Sequence, residues 1–189
     1  MQCVLAADDV RQIISDLADQ ILVAPDIAAT APGRLALVGI RRRGEVLAQR
    51  VGTILRERTH TDVNVGAIDI TMYRDDVMGA RPMTIPMGTL MNFRIDDRPV
   101  VLFDDVLHTG RSVRAALDSL VDFGRPRFIR LAVLIDRDGR EYPIRADFVG
   151  RQMTVAPDSR ICVHLAPTDP HDAVFLEPHP DTGPRGVCR

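Results

Sequence analysis

The chain has little of what most specialised protein classes require. No apolar run approaches the ~20 residues that span a bilayer, and the N-terminus lacks the basic-then-apolar layout of a signal peptide. A membrane partner is excluded on that pattern, and a cytoplasmic location is expected. Cysteine is scarce: Cys3, Cys162 and Cys188 are odd in number, far apart and without CxxC spacing, so reduced thiols are expected rather than a disulfide framework. His164, His171 and His179 show no metal-ligand spacing. G-x-G-x-x-G and P-loop patterns are both missing, which removes the generic nucleotide-binding folds. A net charge of −2 gives no overall pull toward nucleic acid. No internal repeat is visible.

What remains is an ordinary globular composition: 189 residues, 46% hydrophobic and 26% charged. Residues 1–177 read as one domain, and the Pro- and Gly-rich tail 178–189 as a frayed end. Asp8 or Asp9 caps a helix carrying Val10, Ile13, Ile14, Leu17, Ile21 and Leu22 at helical spacing. Leu35 to Ile40 is a continuous apolar run, the pattern of a strand buried on both faces. A second amphipathic helix follows Gly44, then a strand from Val63 to Met72, then a long polar loop from Tyr73 to Gly88 of the kind that forms lids. Val100 to Phe103 is the next buried strand. After it come a helix ended by Gly124, a strand from Phe128 to Ile135, and shorter strands near Ala146–Val149, Ile161–Leu165 and Ala173–Leu176. Strands alternating with helices predict an α/β fold around a mostly parallel sheet, with ligands beyond the carboxyl ends of its strands.

Two of the most polar stretches lie at such ends. Val100 to Phe103 runs into Asp104-Asp105, then Val106-Leu107-His108-Thr109-Gly110-Arg111-Ser112, then a helix. The first amides of a helix have no intrahelical partners and sit at the positive end of its dipole, so this turn suits a terminal phosphate. Gly110 permits close backbone approach, while Thr109 and Ser112 add hydroxyls. Carboxylates cannot help bind phosphate; Asp104 and Asp105 suit ribose hydroxyls or positive charge developing on a sugar ring. Arg41-Arg42-Arg43-Gly44 likewise follows a buried strand and reads as a second anion site.

The strand–acid–turn–helix stretch resembles the phosphoribosyl-diphosphate motif of type I phosphoribosyltransferases. Val38 to Gly44 is similar to that family's pyrophosphate loop, and Met72-Tyr73-Arg74-Asp75-Asp76 to the start of its flexible catalytic loop. Leu134-Ile135-Asp136-Arg137 through Arg140-Glu141-Tyr142-Pro143-Ile144-Arg145-Ala146-Asp147-Phe148-Val149-Gly150 is similar to the PyrR family, uracil phosphoribosyltransferases that double as pyrimidine-operon attenuation regulators. The resemblance implies a type I fold with a small hood, and synthesis of uridine monophosphate (UMP) from uracil and phosphoribosyl diphosphate (PRPP) carried with Mg2+. It implies catalytic roles for Asp104, Asp105 and Arg74. PRPP and phosphate contacts fall to residues 106–112 with Arg42 and Arg43, and base contacts to Arg137 and Ile161. No protein metal ligands are implied, and a homo-oligomer, dimer or tetramer, is. His108 stands where such proteins usually carry tyrosine and is read as a spacer or a phosphate-adjacent residue rather than a catalytic one.

The same resemblance implies a messenger-RNA leader as partner, with Arg140, Arg145 and Arg151 as candidate contacts. Asp16 and Asp19, one helical turn apart, put two negative charges where phosphates would come. Two alternatives stay open: a purine phosphoribosyltransferase on the same fold, and a non-catalytic RNA-binding or nucleotide-sensing regulator.

Overall fold

A computed structural model describes residues 1–31, 33–73, 88–156 and 158–178. The stretch 74–87, which holds Arg74 and most of the expected lid, and the end of the tail, 179–189, lie outside the described residues.

A strand without a polar side chain must sit between two layers, and β2 (Ala36–Ile40) is buried at every position. It pairs in parallel with β3 (Asn64–Ile68) on one side and β4 (Pro99–Leu107) on the other. β5 (Phe128–Arg137) and β6 (Phe148–Met153) continue the parallel sheet, in the order β3-β2-β4-β5-β6. Side chains alternate across a strand, so Leu37, Val101, Phe103 and Leu134 meet α1 (Ala7–Val23) and α3 (Arg43–Thr59) on one face. Val38, Val100, Leu102 and Val133 meet α4 (Arg111–Leu120) on the other. This is the parallel α/β sheet that the sequence predicts. A short α2 (Pro25–Ala28), opened by proline at its first position, links α1 to β2.

A separate antiparallel sheet, β1-β8-β7, is built from β1 (Gln2–Leu5), β8 (Ala173–Pro178) and β7 (Ser159–His164). Arginine forks tie it to the main sheet and to α3; all 24 basic residues of this chain are arginine. Arg137 Nη1 donates to Ser159 O at 3.2 Å. Arg43 holds Asp169 through two 2.8 Å bonds, and Arg50 holds Asp172 at 2.6 and 2.8 Å.

Several boundaries differ from expectation, each for a visible reason. α1 starts at Ala7, and Asp9 sits in its first turn, where its carboxylate accepts the Ala6 amide at 2.9 Å. The strand expected over 63–72 stops at Ile68 because the Asp69 carboxylate accepts the Thr71 amide at 2.9 Å, turning the chain into a 3-10 helix, Thr71–Tyr73. The strand expected at 146–149 begins at Phe148 and runs to Met153 beside β5. Cys3 is free and exposed, whereas Cys162 is disulfide-bonded, which departs from the expectation of reduced thiols.

Candidate active site

β4 does not end where its apolar run ends. Pairing with β5 carries it on through Val106 and Leu107, so both acids are held in strand geometry. Asp104 is 7% exposed, and its carboxylate accepts the Asp105 amide at 3.0 Å. The Asp105 carboxylate accepts the Val106 amide at 3.0 Å. Asp105 keeps some exposure, yet the protein packed around its carboxyl pushes the pKa up; the charge of Arg43 and a hydrogen bond with Asp104 oppose that rise.

Two glycines bring the arginine loop against these acids. A Cβ on Gly39 would lie 2.3 Å from Gly44 O, and one on Gly44 would lie 2.3 Å from Phe103 O. The start of α3 therefore rests directly on the end of β4, a contact open only to glycine. Arg42 is exposed at this junction. Arg41 Nε lies 3.5 Å from Glu45. The Arg43 fork is turned to Asp169 rather than outward. Burial works to lower the Arg43 pKa, but Asp169 and Asp105 outweigh it and raise it. Burial works to raise Asp169, and the Arg43 fork and the Leu165 amide outweigh that, leaving its pKa below the ordinary carboxylate value.

Beyond the acids the chain turns at residues 108–110 and enters α4 from Gly110, whose φ is +90°. The first intrahelical bond runs from the Arg114 amide to Gly110 O at 2.9 Å. The Arg111 amide donates to Thr109 Oγ1 at 3.3 Å. The Arg111 guanidinium is bonded to the Glu141 carboxylate at 2.7 Å and lies 5.6 Å from the Tyr142 ring centroid. Burial, then the charges of Arg137 and Arg140, lower the His108 pKa, so its imidazole is neutral at pH 7.

The phosphoribosyl transferase domain family matches residues 5–163. The protein named bifunctional protein PyrR from Roseiflexus sp. (strain RS-1) is 49% identical over 176 residues, covering 92% of this chain and 93% of that one. Its namesake from Mycobacterium ulcerans is 41% identical over 172 residues, covering 91% and 92%.

The chain belongs to the PyrR family.

Among solved structures, hypoxanthine phosphoribosyltransferase from Trypanosoma cruzi in its ternary substrates complex superposes with a TM-score of 0.71 at 18% identity, over 94% of this chain and 96% of that one. The Staphylococcus aureus hypoxanthine enzyme gives 0.62 at 18% identity, over 85% and 81%. At such identities the likeness shows the type I phosphoribosyltransferase fold.

In this PyrR-family chain, Arg137 closes β5 and is 8% exposed. Its Nε is buried without a hydrogen-bond partner among the described residues, and burial lowers its pKa. A cleft of about 300 Å3 opens beside it, lined by Asp136, Asp138, Arg140, Gln152, Met153 and Thr154. Ile161 is buried in β7, two residues from the Ser159 carbonyl that Arg137 holds. The three candidate RNA contacts divide. Arg145 and Arg151 are exposed, but Arg140 is folded inward, bonded to the carbonyls of Leu107, His108, Arg137 and Ile144. Asp19 is paired with Arg58, which also donates to Ser15 Oγ at 2.8 Å, so of Asp16 and Asp19 the latter is neutralised. Asp16 accepts a neutral bond, from Gln12 at 2.8 Å. Sequence reasoning missed Asp169 and the inward role of Arg140, because neither partner lies nearby in the chain.

Proposed function

We propose that this chain transfers the 5-phosphoribosyl group of PRPP to N1 of uracil, giving UMP and pyrophosphate. The observation that supports the reading most is the placement of Asp104 and Asp105 at the end of β4, between the Arg42 loop and the amides that open α4. The bond from C1 to the pyrophosphate oxygen breaks, N1 bonds to C1, and the N1 proton is lost. Asp104 and Asp105 take the ribose hydroxyls, and their negative field favours an oxocarbenium-like ring. Amides over residues 106–112 hold the 5-phosphate, with Thr109 and Ser112 as hydroxyl donors. Arg42 and the loop amides take the leaving pyrophosphate. Arg43 acts at one remove, fixed by Asp169 and setting the field at Asp105. Arg74, outside the described residues, is assigned to the charge that develops on the leaving group.

No cluster of three metal-ligating side chains exists among the described residues. Two adjacent carboxylates suit a Mg2+ that takes most of its ligands from diphosphate oxygens and water. Such an ion supplies charge neutralisation on the leaving diphosphate. The unpaired Arg137 Nε is a buried donor awaiting an acceptor, which a base carbonyl provides; Ile161 offers an apolar wall. Turnover offered with uracil, hypoxanthine, guanine and orotate in parallel tests the substrate. Pyrophosphate release with uracil alone is expected, and release with a purine alone would replace the reading with a purine enzyme.

A second role, binding a pyrimidine-operon leader RNA, is favoured by the exposed Arg145 and Arg151 and by the neutralised Asp19. Affinity that falls steeply with salt is expected; absence of binding at low salt removes it. An even-numbered assembly is part of the same proposal.

A further inference from the structure

Residues 140–142 have no part in the reaction proposed above, yet their groups converge on the phosphate turn. Arg140 Nη1 lies 3.0 Å from Leu107 O, 2.5 Å from His108 O and 2.6 Å from Arg137 O. Its Nε donates to Ile144 O at 3.1 Å, and its Nη2 pairs with Asp136. The amides of Glu141 and Tyr142 both donate to Thr109 O at 3.0 Å. Three consecutive carbonyls, those of residues 107, 108 and 109, are thus taken by three consecutive residues.

The consequence follows from peptide geometry. The cis peptides among the described residues are Arg41–Arg42 and Ala166–Pro167, so those of the turn are trans. A planar trans peptide holds its C=O and the next N–H on opposite sides. Fixing carbonyls 107, 108 and 109 toward the 140–142 stretch therefore aims the amides of His108, Thr109 and Gly110 the other way. The Thr109 and Gly110 amides donate to no acceptor among the described residues. Gly139 allows the approach: at φ +98° it passes so near His108 that a Cβ would sit 2.7 Å from Nε2. On the far side, a Cβ on Gly110 would lie 3.2 Å from Tyr142 Cβ, so Tyr142 closes the back of the turn.

We infer that Arg140 is a positioning residue for the 5-phosphate: it orients the turn's peptides so that their amides converge on the anion. The inference rests on the phosphoribosyl reading of the turn. It accounts for a guanidinium with all three nitrogens engaged and a side chain only 27% exposed, a poor geometry for contacting RNA phosphates. Lysine would keep the charge beside Asp136 but lacks the planar fork that spans several carbonyls.

The test is equilibrium binding of UMP, uridine and pyrophosphate to the full chain, wild type against Arg140→Gln, Arg140→Lys and the exposed control Arg145→Gln. UMP carries the 5-phosphate, uridine lacks it, and pyrophosphate occupies the Arg42 loop. Arg140→Gln is expected to weaken UMP by about tenfold to a hundredfold, the cost of misaimed donors, while uridine and pyrophosphate affinities hold. Arg140→Lys is expected to lose less, and it serves if the glutamine variant does not fold. Arg145→Gln is expected to match wild type. Unchanged UMP affinity in a folded Arg140 variant overturns the inference, as does an equal loss for all three ligands. Loss of leader-RNA binding with UMP affinity intact also overturns it, returning Arg140 to an RNA face. A wild-type chain that binds neither UMP nor pyrophosphate overturns the phosphoribosyl reading itself, and the inference falls with it.

Discussion

Replacing Gly44 by alanine would place a methyl group 2.3 Å from the carbonyl oxygen of Phe103, 3.1 Å from its carbonyl carbon and 3.3 Å from Cα of Asp104. All three are backbone atoms, so no side chain can rotate aside. Comfortable carbon contacts lie at about 3.5–4.0 Å, so the first turn of α3 must retreat from the acid-bearing strand by about 1 Å. Overpacking of this kind costs about 1–3 kcal/mol. In a domain of this size each kcal/mol lowers Tm by about 2–4 °C. The retreat also carries Arg42 and the loop amides away from the acids, and a displacement of that size costs about a hundredfold in turnover. Gly52→Ala is the matched control, since its Cβ would meet Val65 Cγ2 at 2.8 Å, a side-chain clash within the same helix but facing β2 and β3. Melting curves and kcat/KM for both variants separate the effects: both should melt early, but only Gly44→Ala should lose activity. Wild-type kcat/KM in a folded Gly44→Ala chain, or an equal loss in Gly52→Ala, would refute the reasoning.

Asp172 accepts two bonds from Arg50 and the Ala166 amide, and the Arg50 fork holds its pKa below the ordinary value of 3.8. A carboxylate with a lowered folded pKa stabilises the fold above its unfolded pKa, and loses that contribution as pH falls through the folded one. Asp172→Asn should therefore cost about 2 kcal/mol at neutral pH, with the gap to wild type closing below pH 3.8 in urea unfolding; a pH-independent gap contradicts this. His108, already neutral at pH 7, should be dispensable as a cation: His108→Asn should keep most turnover and leave the pH profile unchanged between about pH 6.5 and 8. A profile that loses a limb in that variant would make His108 a participant.

The strand, the acid pair, the turn and the helix start were legible in sequence because each leaves a local mark: an apolar run, two adjacent acids, a glycine, a helical period. What local pattern could not supply was the far partner. Nothing near Arg43 says that Asp169, 126 residues on, will take its fork. Arg140 reads as one more basic residue in a loop until the carbonyls 32 and 33 residues earlier are seen beside it. β1 was invisible for a related reason: an edge strand of four residues exists only because β8 pairs with it.

The most direct measurement is UMP formation from uracil and PRPP with Mg2+, by wild type and by Asp105→Asn. The account predicts turnover by wild type and a loss of at least about a hundredfold in the variant, with melting unchanged. Wild-type rates in Asp105→Asn would contradict it.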